Sequence, residues 1–251
     1  MQNWIGVLDS GVGGISVLKT AARLLPQENF IYFGDNANAP YGPRPVAEIC
    51  ELSMRAVGRL MEYDIKALVI ACNTITAAYA AELRRTAKIP VIGMEPAVKP
   101  ASFARSDGIV LALATKATLS LEKFARLMDD YGEGVIPVEG KGLVEIVEKG
   151  LADAREAHDA LAEIFTPYKD QKVDAVVLGC THYPFLRRQI ESFFPEAQIF
   201  DGREGTVLQL QRRLTEEGLL SKQTEPGEIR METSGGNDTL RLMHKLFEAE
   251  I

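Results

Sequence analysis

The sequence has 251 residues, of which 46% are hydrophobic and 25% are charged, a composition typical of a globular protein with one large domain or two modest ones. The formal net charge of -7 argues against a nucleic-acid-binding surface, because neutralising phosphates requires clustered Lys and Arg. No apolar run approaches the roughly 20 residues of a membrane helix. Segment 1–14 lacks the basic and apolar parts of a secretion signal. We therefore expect a cytoplasmic protein.

Short apolar runs alternate with longer amphipathic stretches along the chain. The runs with the length and composition of buried strands are 4–8, 30–33, 67–71, 90–92, 108–114, 175–178 and 197–200. Apolar residues recur at helical spacing between them, most clearly in 46–61, 151–168 and 240–247. This alternation predicts an α/β fold built from mostly parallel sheets.

A glycine-rich loop follows the first predicted strand. Its sequence, 9–14, is Asp-Ser-Gly-Val-Gly-Gly, and its backbone N–H groups are suited to bind a phosphate or a carboxylate at the start of the next helix. The glycine spacing differs from that of a dinucleotide-binding loop, and the Gly-Lys-Ser/Thr ending of a P-loop is absent. An ordinary turn before a helix is the alternative interpretation.

A second loop at a strand end contains Gly34-Asp35 and, a few residues later, Pro40-Tyr41-Gly42-Pro43. Loops that follow the strands of an α/β sheet often carry binding residues. The pattern therefore fits a lid or a pocket wall, and it fits a purely structural turn equally well.

Two of the three cysteines occupy matching places in the two halves of the chain. Segment 67–74 aligns with segment 175–182, so that Cys72 and Cys180 each follow a buried strand directly. At nearly the same offset, segment 6–10 aligns with 111–115. These matches predict two copies of one α/β unit. Because such sheets bind ligands at the carboxyl ends of their strands, we expect the two thiols to face one small ligand.

The position of each thiol before a predicted helix favours the thiolate, because the positive end of a helix dipole lowers a cysteine pKa. Two thiols on opposite sides of a carbon atom are suited to racemisation, in which one base removes a proton and a conjugate acid returns one. Asp9 and His182 are the candidates to orient the thiols or relay protons. The alternative for Cys72 and Cys180 is core packing, which we assign to Cys50 because it lies on the apolar stripe of its helix.

Polar side chains directly after the two cysteines are the candidate ligand-binding groups. Asn73 and Thr74 follow the first cysteine, and Thr181 and His182 follow the second. Their amide, hydroxyl and imidazole groups are suited to hold the carboxylates and ammonium of an amino acid. The same residue types are also ordinary helix caps, and one residue can do both.

A metal site made from both thiols and His182 is possible on ligand type, but the closely spaced ligand pairs of structural zinc are absent. The remaining histidines, His158 and His244, lie in amphipathic helical patterns, which indicates structural roles for both.

The order of these motifs resembles that of the bacterial glutamate racemases, members of the aspartate/glutamate racemase superfamily, along nearly the whole chain. The resemblance rests on segments 9–14, 34–35, 40–42, 71–74, 115–118 and 179–184. It implies two pseudo-symmetric α/β domains, 1–94 with 209–251 and 95–208, each a mostly parallel sheet flanked by helices. It also implies an active site in the cleft between the domains, and a homodimer.

The activity that this resemblance implies is the interconversion of L- and D-glutamate by two thiols, without pyridoxal phosphate, another cofactor or a metal. The D-glutamate would supply peptidoglycan synthesis. In the family, the cysteine matching Cys72 acts on the D-enantiomer and the one matching Cys180 on the L-enantiomer. Asp9 and His182 match an auxiliary acid and histidine. Glu148 matches an assisting glutamate, although the sequence alone would place it on a solvated helix face.

The residues that match substrate-binding positions of the family are Asp9, Ser10, Tyr41, Gly42, Asn73, Thr74, Thr115, Thr118, Thr181 and His182. The sequence departs from the family pattern at three places. Asn38 stands where many members have arginine, Glu145 replaces a frequent proline, and 234–236 is Ser-Gly-Gly instead of Ser-Gly-Asp or Thr-Gly-Asp. These changes leave both cysteines in place and concern loop structure, dimer contacts and regulation.

Two alternatives to glutamate racemisation stay open at this point. An aspartate or hydantoin racemase would use the same scaffold. The length of the substrate depends on details of the pocket that the sequence does not contain, so the sequence leaves these substrates open. A non-catalytic protein that binds an acidic metabolite would use the same cleft.

Overall fold

The protein is described by a computed structural model covering residues 4–251. Residues 1–3, part of the predicted first domain and of segment 1–14, lie outside the described residues. The strands are β1 (Trp4–Asp9), β2 (Asn29–Gly34), β3 (Ile65–Ile70), β4 (Val91–Gly93), β5 (Ile109–Ala114), β6 (Val135–Glu139), β7 (Val173–Leu178), β8 (Gln198–Asp201) and β9 (Ile229–Thr233). The α-helices are α1 (Ile15–Leu24), α2 (Val46–Met61), α3 (Asn73–Thr86), α4 (Val98–Ala104), α5 (Lys116–Ser120), α6 (Glu122–Tyr131), α7 (Leu143–Glu148), α8 (Arg155–Phe165), α9 (Arg187–Phe193), α10 (Arg203–Glu216) and α11 (Asn237–Glu248). Short 3-10 helices lie at Asn36–Asn38, Thr166–Tyr168 and Tyr183–Leu186.

All seven predicted strands form, each with its ends within two residues of the prediction, and the predicted helix 46–61 is α2. Strand β3 illustrates why the apolar runs were informative. Every one of its residues is buried, because helices cover both faces of a parallel sheet and leave no solvent-facing positions.

The sequence analysis missed two strands, β6 and β9, and both lie at sheet edges. β6 contains Pro137, and its residues range from buried, at Val135 and Val138, to exposed, at Pro137 and Glu139. None of the β9 residues is fully buried. Pro137 interrupts the apolar run of β6, and β9 alternates apolar with polar residues, so neither strand has the continuous apolar run on which the prediction relied.

The strands form two parallel sheets with the same internal order. The first sheet has the order β4-β3-β1-β2-β9 and the second has the order β6-β5-β7-β8. All pairings among the described strands are parallel. Strands β1 to β4 therefore correspond to β5 to β8, and the α/β class and the two-sheet architecture are confirmed.

Strand register gives a second line of evidence for the internal repeat. Ile5 of β1 pairs with Ala67 of β3, and Val110 of β5 pairs with Ala175 of β7. In both pairs the register shifts at the residue immediately before, at Trp4 and at Ile109. Aligning the two halves of the sequence gives the same correspondence. The sequence alignment therefore pairs residues that occupy equivalent positions in the two sheets.

Strand β9 returns the carboxyl-terminal part of the chain to the first sheet. That topology supports the division into 1–94 with 209–251 and 95–208. The boundaries themselves stay a prediction, and the one at 208/209 falls inside α10, which packs against α1.

One apolar core connects the two sheets. It includes Val17 and Leu18 of α1 together with Leu111 of β5 and Leu143 of α7. A single apolar core, shared by both halves of the chain, therefore lies beneath the cleft between the sheets. Among residues 4–251, no helix combines the length and apolarity needed to cross a membrane.

Candidate active site

The carboxyl ends of β1, β3, β5 and β7 bring the predicted site residues together between the two sheets. Asp9 ends β1, Cys72 and Cys180 follow β3 and β7, and Thr115 follows β5. Cys72 caps α3 because its Sγ accepts a hydrogen bond from the Ile75 N–H at 3.5 Å. Thr115 caps α5 in the same way. The caps orient these side chains towards the space where the strand ends meet.

A cavity of about 210 Å³ occupies this space. Both predicted catalytic thiols, Cys72 and Cys180, line it. The predicted binding residues that line it are Ser10, Tyr41, Gly42, Asn73, Thr74, Thr115, Thr118, Thr181 and His182. The fold therefore gathers residues from four strand ends and two loops around one small-molecule-sized space.

The backbone N–H groups of the glycine-rich loop bind the protein's own carboxylates. Asp9 accepts hydrogen bonds from the N–H groups of Ser10, at 2.8 Å, and of Gly14. Glu148 accepts one from the Val12 N–H at 2.7 Å. The expectation that the loop receives a ligand phosphate or carboxylate is therefore wrong for these three donors, because internal carboxylates already occupy them.

Two glycines of this loop are required because side chains pack directly against the backbone. A Cβ atom at Gly11 would overlap the carboxylate of Glu148. A Cβ atom at Gly13 would overlap the ring of His182 and the hydroxyl of Thr181. The glycine pattern thus reflects close packing between the first sheet's loop and the second half of the chain.

Asp9 is completely buried and connects the two halves of the site. The Thr181 hydroxyl donates a hydrogen bond to its carboxylate at 3.3 Å. Burial raises the pKa of the Asp9 carboxyl, while the charge of His182 and the Gly14 N–H act in the opposite direction. Asp9 lies behind the cavity wall, so its geometry fits a residue that positions the loop and the segment after Cys180.

Glu148, His182 and Cys180 form a buried chain of contacts. His182 Nε2 lies 2.7 Å from Glu148 Oε1, and His182 Nδ1 lies 3.6 Å from Cys180 Sγ. The Glu148 side chain is only 18% exposed. The sequence-based placement of Glu148 on a solvated helix face is therefore wrong.

The two ionisable partners in this chain shift each other's pKa. Burial opposes the charged form of His182, but its bonds to Cys180 and Glu148 outweigh burial and raise the imidazole pKa well above its ordinary value. Burial likewise opposes ionisation of Glu148, but His182, the Val12 N–H and Asn36 overcome it and lower the carboxyl pKa. The pair is held as carboxylate and imidazolium.

Cys72 has a different environment. Its Sγ lies 3.5 Å from Ser10 Oγ, and no basic group adjoins it. Burial raises the pKa of the Cys72 thiol and the charge of Asp9 raises it further, although bonds from Ser10 and from the Ile75 N–H lower it. The expectation that the helix terminus makes this cysteine a thiolate is wrong, because the loss of hydration raises the thiol pKa more than the helix terminus lowers it.

Cys180 also departs from the expected helix start. A 3-10 turn, Tyr183–Leu186, follows it, and α9 begins only at Arg187. The charged neighbour of this thiol is therefore an imidazole ring and not the terminus of an α-helix.

Three hydroxyl groups meet on one side of the cavity. Thr74 Oγ1 lies 3.2 Å from Thr115 Oγ1 and 3.4 Å from Thr118 Oγ1, and these last two are 3.0 Å apart. Thr74 follows β3 of the first sheet, while the other two belong to the second half of the chain. The cluster supplies rotatable hydroxyl donors to a ligand from both halves.

The side chain of Asn73 is the unsatisfied polar group of the cavity wall. It is buried, and neither its Oδ1 nor its Nδ2 has a hydrogen-bond partner. Leaving an amide without partners costs free energy in a ligand-free fold. Because this amide lines the cavity, both of its ends are available to a polar ligand.

The loop between β2 and α2 forms a wall of the cavity. Tyr41 is buried, and its hydroxyl donates to Asp35 Oδ2 at 2.6 Å. Asn38, at the first departure from the family pattern, also donates to Asp35. Gly42 packs against Thr115, where an added Cβ atom would lie 3.3 Å from the threonine Cβ.

Sequence reasoning missed the charged residues at the mouth of the cavity. They are Lys116, Glu139, Lys141 and Glu145. Glu139 and Lys141 lie at or just after β6, the edge strand that was not predicted, so their proximity to the cysteines had no signal in the sequence. Glu145 lies in α7, and the sequence analysis noted it only as a departure from the family pattern. Lys116 lies within the recognised segment 115–118, where its charge could have been noted.

The remaining sulfur and histidine candidates lie elsewhere. Cys50 Sγ lies 3.5 Å from the Ala78 carbonyl oxygen, between α2 and α3. His158 stacks near Phe193, with ring centroids 5.0 Å apart. Within the part of the chain that the structure describes, no group of three or more His, Cys, Asp or Glu residues is arranged to hold a metal ion.

The chain is similar to known racemases over almost its whole length. The profile of the Asp/Glu/Hydantoin racemase family matches residues 5–210. The "Glutamate racemase" of Clostridium acetobutylicum is 45% identical over 251 residues, covering 98% of each chain.

Solved structures show the same similarity in three dimensions. Glutamate racemase isoform RacE1 from Bacillus anthracis superposes with a TM-score of 0.88 at 31% identity, covering 99% of this chain and 95% of that one. The Francisella tularensis glutamate racemase, determined in complex with D-glutamate, superposes with a TM-score of 0.84 at 27% identity, covering 100% and 95% of the two chains.

Proposed function

We propose that this chain, which belongs to the Asp/Glu/Hydantoin racemase family and is a glutamate racemase, interconverts L- and D-glutamate by moving the α-proton between two thiols. The observation that carries this mechanism is that Cys72 and Cys180 end corresponding strands of a repeated unit and line one cavity. Two equivalent strand ends that face each other present one thiol to each side of a bound carbon atom.

The thiols in the ligand-free protein differ in their neighbours, and this difference supports an order of events. Cys72 is buried without a basic partner, so it holds its proton as a thiol. Cys180 lies beside His182, and because Glu148 stabilises the imidazolium, a positive charge stands next to this sulfur. The resting enzyme is thus prepared to deprotonate the L-enantiomer at Cys180 and to protonate the opposite face from Cys72.

The reverse reaction uses the same two groups with exchanged roles. After one turnover Cys72 is the thiolate and Cys180 the thiol, which is the state that accepts D-glutamate. The proton removed from carbon resides on one sulfur and the proton delivered comes from the other, so no external acid or base is consumed.

Binding groups around the cavity suit the charges of glutamate. The unpartnered amide of Asn73 and the hydroxyls of Thr74, Thr115 and Thr118 are donors for a carboxylate. Donors held in place before the reaction stabilise the negative charge that develops on the α-carboxylate as the proton leaves. We assign Asp9 a positioning role, because it holds the loop beside Ser10 and does not line the cavity.

We place the enzyme in the cytoplasm as a homodimer that provides D-glutamate for peptidoglycan synthesis. Three features support this assignment: the bacterial origin of its relatives, the three free cysteines, which suit a reducing compartment, and the resemblance to the racemase family.

The decisive experiment follows optical rotation and α-deuterium incorporation with each enantiomer of glutamate and, in parallel, of aspartate. Inversion of glutamate with solvent deuterium entering the product is the expected result. Faster inversion of aspartate would reassign the substrate. Saturable glutamate binding by freshly reduced protein without exchange or inversion would replace the enzyme with a binding protein.

A further inference from the structure

Helix α2 carries an apolar stripe that the rest of the described chain leaves uncovered. Of the five large apolar side chains that residues 4–251 leave exposed, three lie on α2: Val46 (47%), Met54 (56%) and Met61 (46%). Single exposed apolar residues are normal on a protein surface, whereas several on one helix form a patch. The exposed Ala47 and Gly58 keep the stripe shallow, and a Cβ atom at Gly58 would meet nothing within 4 Å.

Charged residues line one edge of this stripe. At 3.6 residues per turn, Glu48, Glu51, Arg55 and Arg59 all fall on the same side of Met54. The two acids precede the helix midpoint and the two bases follow it, which also suits the helix dipole. Glu51 and Arg55 pair within the helix at 3.7 Å, but both side chains are 64% exposed. Such pairs contribute little to stability and exchange partners readily.

An antiparallel contact between two copies of α2 matches stripe to stripe and acid to base. A two-fold axis across the helix midpoint places the same edge of both helices side by side and runs them in opposite directions. Glu51 then faces Arg55 of the second copy. Glu48 and Arg59 are instead paired within their own chain, Glu48 with Arg44 and Arg59 with Glu62 and Glu232. A parallel contact would instead set the charged edge of one helix against the apolar edge of the other.

We propose that α2 is the self-association surface of this protein and that its occupant is α2 of a second copy, packed antiparallel. The contact uses one 16-residue helix from each copy, roughly 24 Å long. That is smaller than a standard protein interface. The dimer is therefore reversible and depends on protein concentration. The test below measures mass, so its outcome is independent of whether the protein racemises glutamate.

Charge reversal at two positions tests the pairing directly. In E51R the residues at positions 51 and 55 are both basic, and in R55E both are acidic. Each variant alone should dimerise about tenfold more weakly than the wild type in sedimentation equilibrium. An equimolar mixture should form one-to-one heterodimers at least as tightly as wild type. The pair within each helix stays broken in the mixture, so only a contact between copies explains the recovery.

Apolar substitutions complete the test. M54E should make the protein monomeric at concentrations where the wild type is dimeric. L208E, at an exposed leucine on α10, is the matched control and should leave the dimer intact. A wild type that stays monomeric at high concentration, a dimer lost in L208E but kept in M54E, or a mixture no tighter than its components would each overturn the proposal.

A separate set of contacts concerns Asn36. Its Nδ2 donates to Glu148 Oε2 at 2.8 Å, and Thr233 Oγ1 donates to its Oδ1 at 2.7 Å. An ionised carboxylate only accepts hydrogen bonds, so it is the NH2 end of the amide that faces Glu148. Glu148 in turn contacts His182, which contacts Cys180. A chain of hydrogen bonds therefore runs from β9 and the loop after β2, in the first sheet, to a thiol of the second half.

The geometry points to Asn36 as a positioning residue that keeps Glu148 ionised beside His182. An amide N–H stabilises a carboxylate over its neutral acid, so loss of this donor favours protonation of Glu148. A neutral Glu148 no longer stabilises the His182 imidazolium beside Cys180. This role rests on the proposed racemisation, and the test requires an active wild type.

The readout is the acid limb of the pH profile of kcat/KM, where activity is lost as Glu148 is protonated. N36A should move this limb up by roughly 1 pH unit, the value of one hydrogen bond to a charged group. N36D should move it further, because it places a second carboxylate beside the first. N38A lies in the same turn but contacts Asp35, so its acid limb should match that of the wild type.

Unchanged acid limbs in both Asn36 variants of an active enzyme would overturn this role. An equal loss of activity at every pH would do the same, because it would indicate a purely structural contribution. An inactive wild type would instead reject the proposed racemisation itself.

Discussion

His182 Nε2 and Glu148 Oε1 form an ion pair of 2.7 Å in which the imidazole is almost fully buried and the carboxylate side chain is 18% exposed. Two loops of the first sheet contact Glu148, one through the Val12 N–H after β1 and the other through Asn36 after β2. The pair thus contributes to the packing between the two halves as well as to the surroundings of Cys180.

Glu148→Gln should lower the free energy of unfolding by about 1–3 kcal/mol near pH 6, because it leaves a buried imidazolium without its carboxylate. The lowered Glu148 pKa contributes stability above its ordinary value of 4.5, which is lost as pH falls through the lowered pKa. The raised His182 pKa contributes stability that is complete below 6.5 and lost as pH rises through the raised pKa.

Denaturant titrations at several pH values measure this effect. The difference between Glu148→Gln and wild type should be greatest between those two ordinary pKa values and should shrink on the acid side as Glu148 is protonated. Glu145→Gln, on the exposed side of the same helix, is the control and should change little. A constant difference at all pH values would contradict the ion-pair explanation.

Cys72→Ser and Cys180→Ser should each lower kcat/KM by about 100-fold or more, since a hydroxyl is a far weaker base than a thiolate. Cys50→Ser should retain activity because Cys50 Sγ contacts the Ala78 carbonyl between α2 and α3. Circular dichroism should show an intact fold in all three variants. Full activity in either of the first two would reject the two-thiol mechanism.

Gly13→Ala should reduce kcat/KM at least about tenfold and destabilise the fold by about 1–3 kcal/mol, because the new methyl overlaps the His182 ring and the Thr181 hydroxyl. Gly205→Ala is the matched control, since a Cβ atom there meets nothing within 4 Å in helix α10. It should stabilise the protein by about 0.5–1 kcal/mol through lower backbone entropy in the unfolded chain. Thermal unfolding and steady-state kinetics measure both effects. If Gly13→Ala and Gly205→Ala had the same stability and the same kcat/KM, the loop at Gly13 would have space for the added methyl group.

Asn73→Ala should raise KM for both enantiomers about tenfold or more without lowering the melting temperature, because the amide has no partner in the ligand-free protein. Thr76→Val gives the opposite pattern. The Thr76 hydroxyl bonds to the Ile70 carbonyl and the Met94 N–H, so its loss should lower stability while KM stays close to wild type. A lower melting temperature in Asn73→Ala with an unchanged KM would mean that Asn73 serves the fold and not the ligand.

The repeat, seven of the strands and the placement of both cysteines were all predictable from the sequence. Each depends on residues that are neighbours in the chain: an apolar run forms a strand, and the residue after it stands at the sheet edge. Strands β6 and β9 were missed because Pro137 interrupts the first and charged residues interrupt the second, so neither has the continuous apolar run that predicted the other strands.

The roles around the thiols required the folded chain. Glu148, Asn36 and Val12 come from three separate segments, and no local pattern records that they meet beside His182. The protonation of Cys72 is also a property of the fold. Its place before a helix favours a thiolate, yet burial and the nearby Asp9 reverse the direction. Strands, helices and the residues that follow them depend on the spacing of residues along the chain, which the sequence shows directly. The hydration and the electrostatic potential at a buried side chain depend on many groups that only folding brings together.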